Sequence, residues 1–177
     1  MMTGQGDDFG VECRRWLPVS WKPVPKGLSP EELTRLNESN ERVLSWLHGA
    51  VTNRGNSSDP VIFRLDIIEH MISRIWAEMA RPPSPRSAVL GANRISWIEP
   101  LSGEDPAAGG PGVISMQLED YPPESVRFYA TLERVERTTR GRRLTFRLEG
   151  LSQEVRELYE QMIFQYYRRW RAQSPQE

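Results

Sequence analysis

Two stretches of this chain carry apolar residues at alternating gaps of three and four, and this spacing limits the possible folds more than any other feature. We call the residues with this spacing the seam of each stretch. They are Leu33, Leu36, Asn40, Val43 and Leu47 in the first stretch, and Leu65, Ile68, Ile72, Ile75 and Met79 in the second. Such spacing places a seam along one side of an α-helix, as in coiled coils. The second stretch is also apolar beside its seam, at Ile67 and Trp76, so we expect this helix to need two partners.

Capping residues and prolines mark where these two helices begin and end. Ser29 and Glu32 have the spacing of a capping box, with a proline at the first helical position between them. Asp59 and the proline after it begin the second helix in the same way, and the prolines from Pro82 onward end it. The sequence therefore predicts a helical insertion over residues 29–81.

The rest of the chain contains five short segments in which apolar and polar residues alternate, the pattern of half-buried β-strands. Their apolar members are Leu17, Val19 and Trp21; Ile95 and Trp97; Ile114, Met116 and Leu118; Phe128, Ala130 and Leu132; and Leu144, Phe146 and Leu148. Gly141 is expected in the hairpin turn between the last two strands, where it is free to adopt a positive φ. Ser152 is expected to cap a last helix. These elements predict a small antiparallel barrel or sandwich with helices added to it.

Charge and cysteine content exclude several classes of protein. Lys and Arg (23) nearly cancel Asp and Glu (24), so no overall field draws the chain to nucleic acid or anionic lipid. No apolar run approaches the roughly 20 residues of a transmembrane helix. Cys13 is the single cysteine, which excludes an intramolecular disulfide and indicates the cytoplasm. We expect residues 1–10 to be a disordered tail and not a signal peptide.

No set of residues in the sequence can be given the roles of acid, base and nucleophile. His48 and His70 are the two histidines, and both fall in predicted helices, where surface or core roles are more common. The glycine-rich run at residues 109–112 lacks the flanking pattern of a phosphate-binding loop. We therefore expect a protein that is not an enzyme and that has no metal site.

A segment near the C-terminus mixes aromatic residues with arginines, as surfaces that bind single-stranded nucleic acid do. It covers residues 166–171, which read Tyr-Tyr-Arg-Arg-Trp-Arg. At helical spacing Tyr166 and Trp170 share one face and the arginines flank it, which is also the pattern of an ordinary amphipathic helix end. We favour the helix end, and nucleic-acid binding is kept as a separate hypothesis.

The order of the elements resembles that of PilZ domains, the bacterial receptor modules for cyclic di-GMP. An arginine pair, Arg14 and Arg15, precedes the first strand, and a strand at residues 144–152 leads into a terminal helix. The inserted helices, with their Leu65–Asp66 pair before a proline-rich break, resemble the atypical, tetramer-forming PilZ group. The resemblance implies an α+β fold in one domain over residues 11–174: a small antiparallel PilZ-like β-barrel, an inserted pair of long helices between the first and second strands, and a C-terminal helix.

Both ligand-binding motifs of PilZ domains are altered in this chain. The family's R-x-x-x-R motif needs an arginine four positions after the first, but Pro18 follows Arg14 and Val19 follows Arg15 at that distance. The family's D/N-x-S-x-x-G motif corresponds to residues 89–94, which read Val-Leu-Gly-Ala-Asn-Arg. A charge-assisted hydrogen bond contributes roughly 1.5–3 kcal/mol, so the loss of several implies little or no cyclic di-GMP binding by the usual mode.

Two hypotheses follow, and they differ in what the chain binds. The first is a signalling adaptor of the atypical PilZ type, whose two seams join copies into a homo-oligomer, expected to be a tetramer, and whose further partner is an unidentified signalling protein. A polar Asn40 in the seam would then fix the register of the helices. An intramolecular hairpin packed on the barrel is the alternative for the helices. The second hypothesis is a genuine cyclic di-GMP receptor with a non-standard site at Arg14 and Arg15. By resemblance, motility and virulence are the expected processes.

Overall fold

A computed structural model gives the fold of the chain and describes residues 12–53, 65, 68, 71–72, 75, 79, 83–101, 106–119 and 125–173. In chain order the elements are β1 (Cys13–Pro23), α1 (Pro30–Asn53), β2 (Pro85–Leu90), β3 (Arg94–Glu99), β4 (Pro111–Met116), β5 (Val126–Thr138), β6 (Gly141–Leu148) and α2 (Gln153–Gln173). The predicted tail at 1–10, the predicted helix start at Asp59, and His70 lie outside the described residues.

The six strands close into one antiparallel barrel in the order β1-β2-β3-β6-β5-β4. β1 closes the barrel because its first half, residues 13–18, pairs with β2, while its second half, residues 19–23, pairs with β4. The predicted fold class is confirmed: an α+β chain with a small antiparallel barrel, a helical insertion between β1 and β2, and a C-terminal helix. Of the second inserted helix, six residues between 65 and 79 are described, and all six are helical.

The barrel and both labelled helices share a continuous hydrophobic core. Inside the barrel, Trp97 stacks on Phe146 with 4.5 Å between ring centroids. At the interface with α2, Phe128 of β5 packs against Tyr159 at 4.8 Å. α1 contributes Leu44, which is fully buried. The two helices are therefore parts of the folded domain and not appendages to it.

The capping and turn residues form the local structures that their sequence patterns predict. Ser29 and Glu32 form a capping box: the Ser29 N–H donates to Glu32 Oε2 at 2.8 Å, and the Glu32 N–H donates to Ser29 Oγ at 3.2 Å. The hydrogen bond from the Ser29 N–H to the carboxylate, and after it one from the Ser29 side chain, lowers the pKa of the Glu32 carboxyl. Ser152 caps α2 by accepting the Val155 N–H at 3.2 Å. Gly141 has φ +145°, and a Cβ there would collide with a backbone carbonyl of the neighbouring strand.

Three features differ from the prediction. The arginine pair lies inside β1 and not before it. The sequence predicts that the first helix ends near His48, before a loop rich in Gly, Asn and Ser, whereas α1 continues to Asn53. β2 is absent from the five predicted strands because its buried positions are limited to Ala88 and Leu90 at its end, too few for alternation to be visible.

Candidate functional site

Arg14 and Arg15 are neighbours in the first half of β1, so their side chains point to opposite sides of the strand. Arg14 is exposed on the outside of the barrel, whereas Arg15 points inward at one end of the barrel and is half-buried. The structure thus separates the two residues that the second hypothesis assigns to one nucleotide site.

Arg15 is held by side chains of its own chain. Its Nη1 lies 3.2 Å from Glu119 Oε1, and its guanidinium lies 3.9 Å from the ring centroid of Tyr166 on α2. Arg169, also on α2, reaches the same Glu119 oxygen at 4.0 Å. Burial, and after it the Glu119 charge, raises the pKa of the Tyr166 phenol, so the ring that the cation contacts stays neutral. Through its contact with Tyr166, Arg15 therefore connects α2 to β1.

The segment that stands in place of the second PilZ motif forms the tight turn between β2 and β3. The Gly91 N–H donates to the Arg94 carbonyl at 2.8 Å. Arg94 Nε donates to Glu133 Oε2 on β5 at 2.9 Å, which holds this side chain over the sheet. Val89 pairs directly with Arg14 in the β1–β2 ladder. The two altered motifs are therefore neighbours in space, as they would be in a ligand site.

A groove crosses the outside of the barrel beside Arg14. One part of it has a volume of about 680 Å³ and the adjoining part about 520 Å³, and both are lined by Arg14, Val89, Ser96 and Arg143. These volumes fall within the roughly 300–1,000 Å³ of typical ligand sites. We call the two parts together the outer groove, which extends from Trp16 on β1 to Arg143 on β6.

The predicted seam of α1 faces the chain's own barrel and α2. Leu36, Asn40, Val43 and Leu47 are buried, the most exposed of them at 8%. Leu33 contacts Gly150, just before α2. These side chains are already covered within one chain, so they pack inside the domain, and their assignment to an oligomer seam stays a prediction.

Asn40 in particular anchors α1 to the start of β5. Its Nδ2 donates to the Arg127 carbonyl at 2.6 Å, and the Arg127 N–H donates to its Oδ1 at 2.9 Å. Asn37 makes a similar pair of contacts before α2, donating to the Gly150 carbonyl at 2.9 Å and accepting the Ser152 N–H at 3.3 Å. Asn40 therefore fixes the position of α1 on its own barrel, and its role in the register between copies stays a prediction.

The seam of the second stretch has the opposite environment, because its residues are exposed. Exposure ranges from 40% to 78% among the described apolar residues of this helix, which are Leu65, Ile68, Met71, Ile72, Ile75 and Met79. Five of them carry the three-and-four spacing that puts side chains on one helix face. An exposed apolar helix face is a candidate interaction surface. We call these six residues the 65–79 face.

The arginines near the end of α2 contact side chains of the same chain. The Arg168 guanidinium lies 5.9 Å from the Phe164 ring centroid, and that of Arg171 lies 5.8 Å from the Tyr167 centroid. Tyr166 is buried and not presented to solvent. This arrangement is that of an amphipathic helix end, the interpretation that the sequence favours over nucleic-acid binding.

The described residues contain no group of three or more His, Cys, Asp or Glu side chains placed to hold a metal ion. His48 Nδ1 lies 3.1 Å from Gln165 Nε2 on α2, so this histidine joins the two helices. Cys13 is buried, and its burial raises the pKa of the thiol, which disfavours the reactive thiolate. Within the described ranges, no helix has the length and apolarity needed to cross a membrane.

A closed antiparallel barrel with helices inserted after its first strand and a helix after its last strand is the fold of a helix-inserted PilZ domain. The chain is similar to a pathogenic protein from Xanthomonas campestris, a tetrameric PilZ domain self-assembled via a helical bundle, with 18% identity, a TM-score of 0.68, and 90% of this chain and 89% of that chain covered. It is also similar to MotI (DgrA), an inhibitor of motility from Bacillus subtilis, with 12% identity, a TM-score of 0.40, and coverage of 51% and 44%. No protein-family model and no curated protein matches the sequence. The Xanthomonas structure confirms the predicted resemblance at the level of the fold.

The outer groove is not among the sites predicted from the sequence, although one signal for it is present there. The alternation that turns Leu17 and Val19 inward places Trp16 on the outside of the same strand, where its side chain is 73% exposed. A large aromatic residue at an outward position of a strand is a signal for a binding surface. Glu119 and Glu133, the partners of Arg15 and Arg94, carry no such signal because they are distant in sequence.

Proposed function

We propose that this protein is a non-enzymatic signalling adaptor of the PilZ type in bacterial cyclic di-GMP-linked regulation, and that its copies assemble through the 65–79 face. The observation that carries the proposal is the exposure of this face, 40–78%, in a single chain whose other helical seam is buried. Contact between copies would remove the face from water. Each Å² of apolar area that is buried in this way stabilises the assembly by roughly 25 cal/mol. The proposed setting is the bacterial cytoplasm, with motility and virulence as the processes served.

The proposed oligomer is a tetramer. Support comes from the Xanthomonas protein, which has the same fold and is a tetramer self-assembled via a helical bundle. Gel filtration with light scattering tests this directly, because one chain has a mass of 20.4 kDa. We expect a mass near four chains that persists on dilution into the low micromolar range. A mass of one chain at every concentration would reject the proposed assembly.

We also propose that cyclic di-GMP is not bound in the usual PilZ mode. Support comes from Arg14 and Arg15, which point to opposite faces of β1, and from Arg94, which is paired with Glu133. The alternative, a receptor with a non-standard arginine site, keeps one supporting observation, the exposed Arg14 beside the outer groove. In calorimetric titration we expect no binding at micromolar nucleotide. A micromolar constant that Arg14→Ala abolishes would establish the alternative instead.

A further inference from the structure

The outer groove concentrates positive charge in a chain whose net charge is −1. The described residues that line its 680 Å³ part include four arginines and no carboxylate; the arginines are Arg14, Arg86, Arg140 and Arg143. Arg86 lies 4.0 Å from Glu99 Oε1, whereas Arg14, Arg140 and Arg143 are exposed. A local field opposite in sign to the net charge attracts anionic groups to this one surface of the barrel.

Apolar side chains lie between the arginines. Trp16 projects from β1 with 73% of its surface exposed, and Val89 and Ile98 line the groove beside it. Tryptophan and arginine are among the residue types most enriched among those that dominate the energetics of protein–protein interfaces. An occupant that fits both features has carboxylates for the arginines and an apolar side chain for the indole.

The adjoining 520 Å³ part of the groove has mixed charge and favours a long polyanion less than the 680 Å³ part does. Its charged lining residues are Glu12, Glu133, Glu136, Arg14, Arg94, Arg134 and Arg143. Arg94 pairs with Glu133 at 2.9 Å and Arg134 with Glu136 at 3.5 Å, so two of its arginines already have carboxylate partners within the chain. From β1 to β6 the groove spans three strand spacings of roughly 4.8 Å, about 14 Å in all, which an extended peptide covers with about four residues. A short peptide segment therefore fits within the positively charged part.

We propose that the outer groove docks a short acidic segment of a partner protein, with an apolar side chain of that segment on Trp16 and its carboxylates on Arg14 and Arg143. This inference rests on the proposed adaptor function and deepens it by giving the partner a chemistry. Among the described residues, none of the 65–79 face lines the outer groove.

Fluorescence anisotropy with a defined probe tests the docking. The probe is the fluorescein-labelled peptide Gly-Asp-Asp-Leu-Phe-Asp-Gly, and its neutral analogue carries asparagine at each aspartate. We expect saturable binding of the acidic peptide that weakens with added salt, and about ten-fold weaker binding of the neutral analogue. Trp16→Ala and Arg143→Glu are each expected to weaken acidic-peptide binding about ten-fold or more. Arg156→Glu, the same charge reversal at an exposed position of α2, is expected to leave it unchanged.

Three results would overturn the docking proposal: no saturable binding, equal binding of the two peptides, or tighter competition by a single-stranded oligonucleotide than by unlabelled peptide. The mass of the oligomer, measured on the same samples, separates this proposal from the assembly. If the peptide does not bind but the protein is still a tetramer, the docking site is rejected and the assembly is not. A monomer that still binds the peptide through Trp16 and Arg143 would support the docking site and reject the assembly.

Discussion

At the scale of the residue, position on the strand decides what each of two adjacent arginines does. Arg14 points out of the barrel into the outer groove, while Arg15 points inward, contacts Tyr166 and pairs with Glu119. The sequence shows an arginine pair, and the alternative receptor hypothesis assigns both to one nucleotide site. Strand alternation, which is visible in the sequence at Leu17 and Val19, already separates them.

Arg14→Ala and Arg15→Ala form a matched pair that tests this separation. We expect Arg15→Ala to lower the free energy of unfolding by about 1–2 kcal/mol, because it removes a partly buried ion pair and a cation–π contact. Arg14→Ala should change it by less than about 0.5 kcal/mol, as is usual for exposed positions. Urea denaturation followed by circular dichroism measures both. Equal losses from the two substitutions would contradict the separate roles of the two arginines.

Two buried phenols give the protein a predictable loss of stability at alkaline pH. Burial raises the pKa values of both Tyr159 and Tyr166 above the ordinary value of 10.0. Above about pH 10 the unfolded chain therefore releases protons that the folded chain keeps. Because the unfolded state then binds fewer protons, the free energy of unfolding falls as pH rises.

Tyr159→Phe tests this expectation, because the Tyr159 hydroxyl is buried with no hydrogen-bond partner within the described part of the chain. The substitution should cost little stability at pH 7.5, and it should reduce the loss between pH 7.5 and pH 10.5. Denaturant titrations of the two proteins at both pH values provide the comparison. If the variant lost as much unfolding free energy between pH 7.5 and pH 10.5 as the unmodified protein, the Tyr159 phenol would not contribute to the alkaline loss of stability.

At the scale of the element, signals whose partners are a few residues apart are readable from the sequence, and others are not. The Ser29–Glu32 capping box and the turn at Gly141 are local, and the sequence predicts both. The contacts that place α1 and α2 on the barrel, Asn40 with Arg127 and Arg15 with Tyr166, join residues far apart in the sequence, and the first pair is 87 positions apart. Heptad spacing likewise predicts that a helix face is buried without saying what covers it, so α1 and the 65–79 face look alike in the sequence.

Asn40→Ala tests the packing of α1 on its own barrel. The substitution leaves the Arg127 N–H and carbonyl without their partners in a partly buried place, so we expect a loss of about 1–3 kcal/mol in the free energy of unfolding. Ser45→Ala, at an exposed position of the same helix, is the control and should change it by less than about 0.5 kcal/mol. If Asn40→Ala kept full stability but changed the mass of the oligomer, α1 would have to contact other copies after all.

At the scale of the whole molecule, the chain uses α1 and α2 to complete its own core and presents two surfaces of different character. The 65–79 face is apolar, and the outer groove combines arginines with an exposed tryptophan. An apolar helical face suits association between identical copies, and a basic groove suits an acidic partner. These two surfaces are the structural basis of the proposed adaptor function.

The central claim, assembly through the 65–79 face, is tested most directly by sedimentation equilibrium of the double variant Ile68→Glu with Ile75→Glu. Phe164→Glu is the matched control, because Phe164 on α2 is 51% exposed and Ile68 is 52% exposed. We predict a mass near 20.4 kDa for the double variant, with the circular dichroism of the folded barrel, and a tetramer for the control. A double variant that keeps the mass of the unmodified protein, or a control that dissociates equally, would contradict assembly through this face.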